Sequence, residues 1–290
     1  MGGRGKTPVA GLVARLLVAA GERPAILSRG HKRRRRDDGV VVVSDAAHLV
    51  ADVDRAGDEP MMLARHTPGA IVLVCEMRAL ARALATRALG ATVVVLDDGF
   101  QHRSLARDID IVCIQARDLS DRRVPFGRLR EPPAALARAD AIIVDGPAPP
   151  AGGAGRAGQP VFTLTRTPGA PVPLEPHRRA IQPGDPIVSV CGIAEPERFH
   201  RGLVEQGWNV VDHLSLPDHY AFRVRDLDVL SALVARHRAA AILTTEKDAM
   251  RLLPLRPLPV PIAYIPLDVA VDPADDFRAW LLGRLAEARA

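Results

Sequence analysis

Short runs of Val, Ile and Leu recur along the first half of the chain, and stretches with helical spacing separate several of them. The apolar runs predict strands at residues 24–28, 40–44, 70–75, 92–97, 110–114 and 141–144. The intervening stretches, rich in Ala, Leu and Arg, predict helices at residues 8–20, 77–89 and 132–139. Because uninterrupted apolar strands alternate with helices, the pattern predicts a parallel sheet covered on both faces.

The second half of the chain repeats this alternation after a break. Residues 146–155 consist only of Gly, Pro and Ala and show no periodicity, which predicts a linker. An extended stretch at 160–166 then precedes predicted strands at 187–191, 208–211, 241–244 and 262–265, and helices near 197–206, 225–237 and 275–288. We therefore expect two α/β domains, residues 1–150 and a smaller one at residues 151–290.

Composition narrows the class of protein. With 290 residues and 48% hydrophobic content, the chain is long and apolar enough to bury one large core or two smaller ones. Its three cysteines, Cys75, Cys113 and Cys191, lie in or beside separate apolar runs without metal-ligand spacing, so we expect buried thiols in a reducing compartment. No apolar run approaches the ~20 residues of a spanning helix.

The chain opens with a glycine-rich stretch that contains half of a P-loop motif. Gly5, Lys6 and Thr7 match the end of G-x-x-x-x-G-K-[ST], with Gly2 and Gly3 inside the loop. Backbone N–H groups and the following helix N-terminus would bind phosphates, with the lysine at the β- and γ-phosphates and the threonine hydroxyl at Mg²⁺. The first domain is therefore predicted to be P-loop NTPase-like; a flexible terminus is the alternative.

An apolar strand that ends in two carboxylates supplies a second phosphate-transfer signal. Residues 93–96 are Val-Val-Val-Leu, and Asp97 and Asp98 follow directly. This is the form of a Walker B element, whose Asp holds Mg²⁺ beside the P-loop. An Asp-Gly turn is the alternative, but it predicts one acid rather than a pair followed by Gln101 and His102.

The order of several motifs identifies a family. The set is Gly-x-Gly-Lys-Thr-Pro at 3–8, Ser-Arg-Gly at 28–30, Gly-Asp-Glu-Pro at 57–60, Asp-Asp-Gly-Phe-Gln-His at 97–102, Arg-Glu-Pro at 130–132, Pro-Asp-His at 217–219 and Thr-Thr-Glu-Lys-Asp at 244–248. Together these motifs resemble the lipid A 4′-kinase family, and the resemblance covers nearly the whole chain. It implies a kinase that moves the γ-phosphoryl group of ATP to the 4′-hydroxyl of a tetraacylated glucosamine disaccharide 1-phosphate.

The resemblance also implies roles for particular residues. Asp58 would be the catalytic carboxylate and His219 its partner imidazole. Without the resemblance, Asp58 would be interpreted as a helix N-cap and His219 as a loop histidine. Asp97 and Asp98, with Thr7, would serve Mg²⁺. The nucleotide side would be completed by four residues, Gln101, His102, Arg130 and Glu131.

Three features depart from the family pattern. The hydrophobic membrane-associating helix and the strand that normally launches the P-loop would fall before Met1, which leaves open a late start-codon assignment or a shortened variant. His31 stands where an aromatic commonly follows Ser-Arg-Gly, and Arg4 stands where a small hydroxyl residue is usual.

A dense basic run at residues 31–36, His-Lys-Arg-Arg-Arg-Arg, bears on partners and location. We expect it to face an anionic membrane surface or the phosphorylated lipid acceptor, with a solvated loop as the alternative. This predicts a cytoplasmic enzyme, peripheral on the cytoplasmic face of the inner membrane; the sequence does not predict an oligomeric state. Two other functions stay open: a nucleic-acid-binding P-loop protein, disfavoured by 3% aromatic residues, and an inactive nucleotide-binding remnant.

Overall fold

The computed structural model describes residues 5–30, 33–35, 37–102, 104–146, 155–176 and 181–290. Its helices are α1 (Lys6–Ala19), α2 (Val53–Ala56), α3 (Asp58–His66), α4 (Arg78–Arg87), α5 (Pro196–Glu205), α6 (Val224–His237), α7 (Glu246–Leu252) and α8 (Ala274–Glu287). Its strands are β1 (Pro24–Ser28), β2 (Val41–Asp45), β3 (Ile71–Val74), β4 (Val93–Leu96), β5 (Ile111–Ile114), β6 (Ala141–Asp145), β7 (Val161–Pro168), β8 (Val172–Pro173), β9 (Pro186–Cys191), β10 (Asn209–Ser215), β11 (Ala241–Thr245), β12 (Ile262–Ile265) and β13 (Leu267–Asp272).

Each predicted strand is present, with ends that shift by a few residues. One helix prediction was wrong in type, because residues 132–139 form a 3-10 helix at Pro133–Arg138. Adjacent prolines at its start remove two backbone donors, and the segment is short, so the tighter turn is favoured. The sequence analysis did not predict β8, β13 or α7.

The first sheet has the order β2-β3-β1-β4. β1 lies parallel to both β3 and β4, whereas β2 runs antiparallel to β3. The apolar residues of β1 and β3 are almost wholly buried, because α3 covers one face of the sheet and α4 covers the other. Because β1 and β4 are parallel, their carboxyl ends meet at one edge of the sheet, and Asp97 and Asp98 follow β4 there.

Two further sheets complete the α/β fold. The order β13-β7-β6-β5 contains three parallel strands and the antiparallel β13, and the order β10-β9-β11-β12-β8 contains four parallel strands and the antiparallel β8. Strand pairing crosses the predicted linker, since β7 pairs with β6 and β13 pairs with β7. The division into residues 1–150 and 151–290 stays a prediction.

Candidate active site

Helix α1 begins beside the carboxyl end of β4. Gly5 precedes it with a φ of 75°, a left-handed conformation that favours glycine, and a Cβ there would also collide with the Leu164 side chain. The turn presents the next two side chains to the acidic strand end. Lys6 Nζ lies 2.5 Å from Asp98 Oδ1. Thr7 Oγ1 lies 3.2 Å from Asp97 Oδ2.

The two carboxylates that follow β4 differ in their electrostatics. Asp97 is only 6% exposed, and burial, Glu59 and Asp98 together raise its pKa to about 6. Burial acts in the same direction on Asp98, but its hydrogen bonds and charge pairing with Lys6 and Arg130 outweigh it and lower its pKa to about 2. Asp97 is therefore a buried carboxylate that lacks a full counter-charge, whereas Asp98 is held ionised.

A cavity of about 730 Å³ opens beside Lys6, Asp97 and Asp98, and three of the other predicted nucleotide residues line it, Gln101, Arg130 and Glu131. Arg130 Nη1 donates to Asp98 Oδ2 at 3.0 Å and to Gln101 Oε1 at 3.3 Å. Glu131 also lines the cavity and pairs with Arg138 at 2.6 Å. His102 follows in the same loop, but its Nε2 faces the Ser104 hydroxyl at 3.2 Å.

Several sequence positions that carried predictions lie outside the described residues. They are Gly2 and Gly3 of the predicted phosphate loop, Arg4 and His31, which depart from the family pattern, Lys32 and Arg36 of the basic run, and residues 147–154 of the predicted linker. The described part of the P-loop motif is therefore residues 5–7.

A second cluster is built around Asp58, the first residue of α3. Its carboxylate is 8% exposed and pairs with the buried guanidinium of Arg251, and it lies 3.4 Å from His219 Nδ1. Lys247 Nζ lies 3.1 Å from His219 Nε2 and 4.0 Å from Asp58 Oδ2. Burial alone would raise the pKa of Asp58, but the hydrogen bond from His219 and the charges of Arg251 and Lys247 hold it well below its ordinary value. The Asp58 carboxylate is thus ionised at neutral pH.

Glu59 links the two clusters. Its carboxylate lies 3.7 Å from Lys247 Nζ, while its charge helps to raise the pKa of Asp97. Helix α3, which begins at Asp58, packs against α1, which carries Lys6, and against α7, which carries Lys247 and Arg251.

The sequence analysis missed two buried arginines that orient these groups. Arg78 is 2% exposed; its guanidinium donates to the backbone oxygens of Leu27 and, at 2.7 Å, of Asp97, and so fixes the carboxyl ends of β1 and β4. Arg251 bonds to Asp58 and, at 2.9 Å, to Asp248. Neither residue is marked by a local pattern, because their partners are distant in sequence.

The residues beside the P-loop fit Mg²⁺. No group of three or more His, Cys, Asp or Glu side chains in the described ranges could hold a metal by itself. Mg²⁺ needs fewer protein ligands, since it keeps several waters and binds one or two carboxylates together with substrate phosphates. Asp97, with its raised pKa and the Thr7 hydroxyl beside it, supplies that oxygen donor set.

Comparisons with known proteins agree with this arrangement. The model of the family described as tetraacyldisaccharide-1-P 4′-kinase matches residues 1–286. A tetraacyldisaccharide 4′-kinase of Syntrophus aciditrophicus is 36% identical over 97% of this chain and 80% of its own length. One from Bradyrhizobium sp. strain BTAi1 is 40% identical over 100% of this chain and 82% of its own length.

A solved structure gives the same result for the fold. The crystal structure of LpxK from Aquifex aeolicus in complex with ATP superposes with a TM-score of 0.77 at 29% identity, covering 98% of this chain and 85% of that one. The expected α/β, P-loop kinase fold is therefore confirmed. With the match of the family model over nearly all residues and relatives above 30% identity, the chain belongs to the tetraacyldisaccharide-1-P 4′-kinase family.

Proposed function

We propose that this chain is a Mg²⁺-dependent kinase that transfers the γ-phosphoryl group of ATP to the 4′-hydroxyl of a tetraacylated glucosamine disaccharide 1-phosphate. The observation that carries the proposal is the convergence of Lys6 and Thr7 with Asp97 and Asp98 at one sheet edge. Family membership and the likeness to an ATP-bound relative support the same activity.

Phosphoryl transfer depends mainly on positioning and charge stabilisation. Lys6 would bind the β- and γ-phosphates, and Arg130, on the opposite side of Asp98, would stabilise charge on the transferred group. Thr7 and Asp97 would hold Mg²⁺, which neutralises charge on the phosphates when bound. Gln101, fixed by Arg130, together with His102 and Glu131 would complete the nucleotide side.

The acceptor hydroxyl is a poor nucleophile, so its proton needs an acceptor within hydrogen-bond reach. Asp58 would take that role, because its carboxylate is ionised and its Oδ2 oxygen is held by Arg251 and His219, which leaves Oδ1 for the hydroxyl. A carboxylate with a lowered pKa is a weak base. In a loose transition state the proton leaves late, so orientation of the hydroxyl is the main contribution expected of Asp58.

Membrane association is part of the proposal. No described helix has both the length and the apolar character that would carry it across a bilayer. A surface loop offers a different contact: Val124 is 63% and Phe126 84% exposed, beside the exposed Arg122 and Arg123. Apolar side chains flanked by arginines suit an anionic lipid surface, where the lipid acceptor resides. We therefore propose a peripheral enzyme on the cytoplasmic face of the inner membrane.

The described members of the basic run, residues 33–35, contribute less to membrane contact than their charge suggests. Among its described members, Arg33 is buried, Arg34 pairs with Asp54 at 3.4 Å, and Arg35 pairs with Asp37 at 3.3 Å. A test of membrane contact should therefore change Phe126 and Val124 to Ser. The change should raise the KM for lipid in anionic vesicles without altering the affinity for ATP.

The activity is tested by incubating the chain with γ-labelled ATP, Mg²⁺ and the tetraacylated disaccharide 1-phosphate in detergent micelles. Labelled phosphate should appear on the lipid, and phosphorus NMR should locate it at the 4′ position. ATP binding without transfer would indicate the inactive remnant instead. Salt-sensitive binding to RNA or DNA without transfer would indicate the nucleic-acid-binding alternative.

A further inference from the structure

Helix α7 brings a lysine into the Asp58 cluster, and the mechanism above gives this lysine no role. Lys247 belongs to the Thr-Thr-Glu-Lys-Asp motif at 244–248. Thr245 caps the helix by accepting a hydrogen bond from the backbone N–H of Asp248, which places Lys247 in the first turn. The side chain of Lys247 is only 20% exposed, so its charge is partly shielded from water at the edge of the cluster.

The ammonium of Lys247 contacts the imidazole of His219. Its Nζ lies 3.1 Å from His219 Nε2. Three carboxylates surround the same ammonium at longer distances, Glu59 at 3.7 Å, Asp218 at 3.8 Å and Asp58 at 4.0 Å. An ammonium has three N–H donors and no acceptor. His219 Nε2 therefore accepts the hydrogen bond, and this nitrogen carries no proton.

The other ring nitrogen of His219 faces Asp58. Nδ1 lies 3.4 Å from Asp58 Oδ2. Because Nε2 accepts from the lysine, a neutral ring has its single proton on Nδ1, from which it donates to the carboxylate. Arg251 Nη2 also lies 3.2 Å from Nδ1, but the same nitrogen donates to Asp58 Oδ2. The Nδ1–H tautomer thus gives every donor of this group an acceptor.

The other protonation states of His219 conflict with these neighbours. A proton on Nε2, in the second neutral tautomer or in an imidazolium, would point an N–H group at the ammonium of Lys247. In the Nε2–H tautomer, Nδ1 has no proton to donate to Asp58. Asp218 favours that state, because its Oδ2 lies 3.6 Å from Nε2 and could accept the hydrogen bond. Lys247 therefore decides which ring nitrogen carries the proton.

We propose that Lys247 is a positioning residue, which holds His219 in its Nδ1–H tautomer and thereby fixes Asp58 for phosphoryl transfer. The contacts run from the ammonium to Nε2, and from Nδ1–H to Asp58 Oδ2. Oδ1 of the same carboxylate is then left to orient the acceptor hydroxyl. The tautomer is a property of the protein alone, whereas the role in catalysis rests on the proposed kinase function.

A direct contact of Lys247 with a phosphate of ATP or of the acceptor is the competing interpretation, since an ammonium can bind phosphate. However, the three carboxylates of Asp58, Glu59 and Asp218 lie within 4.0 Å of Nζ. A phosphate bound there would face all three negative charges at short range. The imidazole is a neutral acceptor that is already in hydrogen-bond contact, so the surroundings favour the positioning role.

Nitrogen-15 NMR of the histidine rings, at neutral pH and without ATP or lipid, tests the tautomer. Signals that are absent from His219→Asn identify this ring among the nine histidines. We expect a protonated Nδ1 and an unprotonated Nε2 in the unaltered protein. Lys247→Met removes the cation and should place a proton on Nε2, whereas Lys247→Arg keeps a donor and should leave Nε2 unprotonated. Arg236→Met, at an exposed cation in the last turn of α6, is the control and should match the unaltered protein.

A proton on Nε2 of the unaltered protein would overturn the proposal, and so would an unchanged His219 ring in Lys247→Met. The melting temperature shows whether the methionine variant folds. If it does not fold, the arginine variant decides the question, because a proton on Nε2 in Lys247→Arg would also overturn the proposal.

Steady-state kinetics and calorimetric ATP titration test the role in catalysis. Lys247→Met should lower kcat about tenfold or more with unchanged affinity for ATP. Adding it to His219→Asn should cause little further loss, because both changes remove the same contact. Independent losses in the double variant, or ATP binding weakened as much as kcat, would overturn the proposal in favour of a phosphate contact. If the unaltered chain transfers no phosphate, the kinase function fails, while the ring signals still decide the tautomer.

Discussion

The ammonium of Lys6 lies 2.5 Å from the carboxylate of Asp98, although 92 positions separate the two residues along the chain. Arg130 reaches the other oxygen of the same carboxylate at 3.0 Å. Asp98 thus forms ion pairs with both cations that the proposed mechanism assigns to the phosphates of ATP. A triphosphate offers these cations a more highly charged anion, so the pair is preorganised for nucleotide binding.

Lys6→Ala should lower kcat about a hundredfold or more, because a donor aimed at the transferring phosphate is lost. Steady-state kinetics with saturating lipid measures the effect. Arg87→Ala, which removes an exposed cation at the end of α4, is the matched control and should match the unaltered protein. Unchanged kcat in Lys6→Ala would remove this residue from the site.

Asp97→Asn should stabilise the fold at neutral pH. The folded state raises the pKa of Asp97 from 3.8 to about 6. Protonation of Asp97 therefore stabilises the fold fully below its ordinary pKa of 3.8, and this stabilisation is lost as the pH rises through the raised pKa. Removing the charge should raise the free energy of unfolding by on the order of 2 kcal/mol at neutral pH and change it little in mildly acidic buffer. Urea unfolding at several pH values measures this difference.

Asp98→Asn provides the opposite control. Because the pKa of Asp98 is lowered to about 2, its carboxylate contributes stability above its ordinary pKa, and that contribution is lost as the pH falls through the lowered value. The substitution should therefore lower the free energy of unfolding at neutral pH. If both variants shift stability in the same direction, the contrast between the two carboxylates is wrong.

Asp58→Asn should reduce kcat far more than it weakens ATP binding, because the amide keeps a hydrogen bond to Arg251 but cannot accept the proton. Kinetics and calorimetric ATP titration separate the two quantities. Asp54→Asn, at an exposed ion pair with Arg34, should change neither. Equal losses in kcat and ATP affinity would point to structural damage.

His219→Asn should lower kcat while preserving the melting temperature. His219 has a φ of 62°, a left-handed conformation that Asn tolerates better than most residues. The substitution therefore removes the imidazole beside Asp58 without straining the loop. A kcat equal to that of the unaltered protein would show that the imidazole does not orient the base.

Arg251→Met should destabilise the protein by about 3 kcal/mol, since it leaves Asp58 and Asp248 without their buried counter-charge. Arg251→Lys should recover part of the stability. If Arg251 also positions Asp58, the lysine variant should recover stability while kcat stays low and KM for ATP stays normal. If Arg251→Lys fully recovers both stability and kcat, only the positive charge of Arg251 is needed.

The sequence predicted the parts of the site whose signals are local. Lys6 and Thr7 follow a glycine at a helix start, and Asp97 and Asp98 end an apolar strand, so each pair could be recognised from its own neighbours. Their convergence follows from parallel-strand topology, because a helix start and a strand's carboxyl end share one edge. The rest of the nucleotide rim, such as Arg130, required the resemblance to a family.

Features that depend on distant contacts could not be predicted in this way. Arg78 and Arg251 look like ordinary helical arginines in sequence, and only the fold buries them against backbone oxygens and carboxylates. The two-residue strand β8 is too short for any periodicity. Helix α7 did leave a signal, since Thr245 accepts a hydrogen bond from the backbone of Asp248 as a helix cap.

The central claim is that Lys6, Thr7, Asp97 and Asp98 bind one magnesium-triphosphate. Calorimetric titration of ATP with and without Mg²⁺, in the unaltered chain and in Asp97→Asn, tests it most directly. The account predicts that Mg²⁺ tightens ATP binding about tenfold or more in the unaltered chain and has little effect in the variant. An equal effect of Mg²⁺ in both proteins would contradict the account.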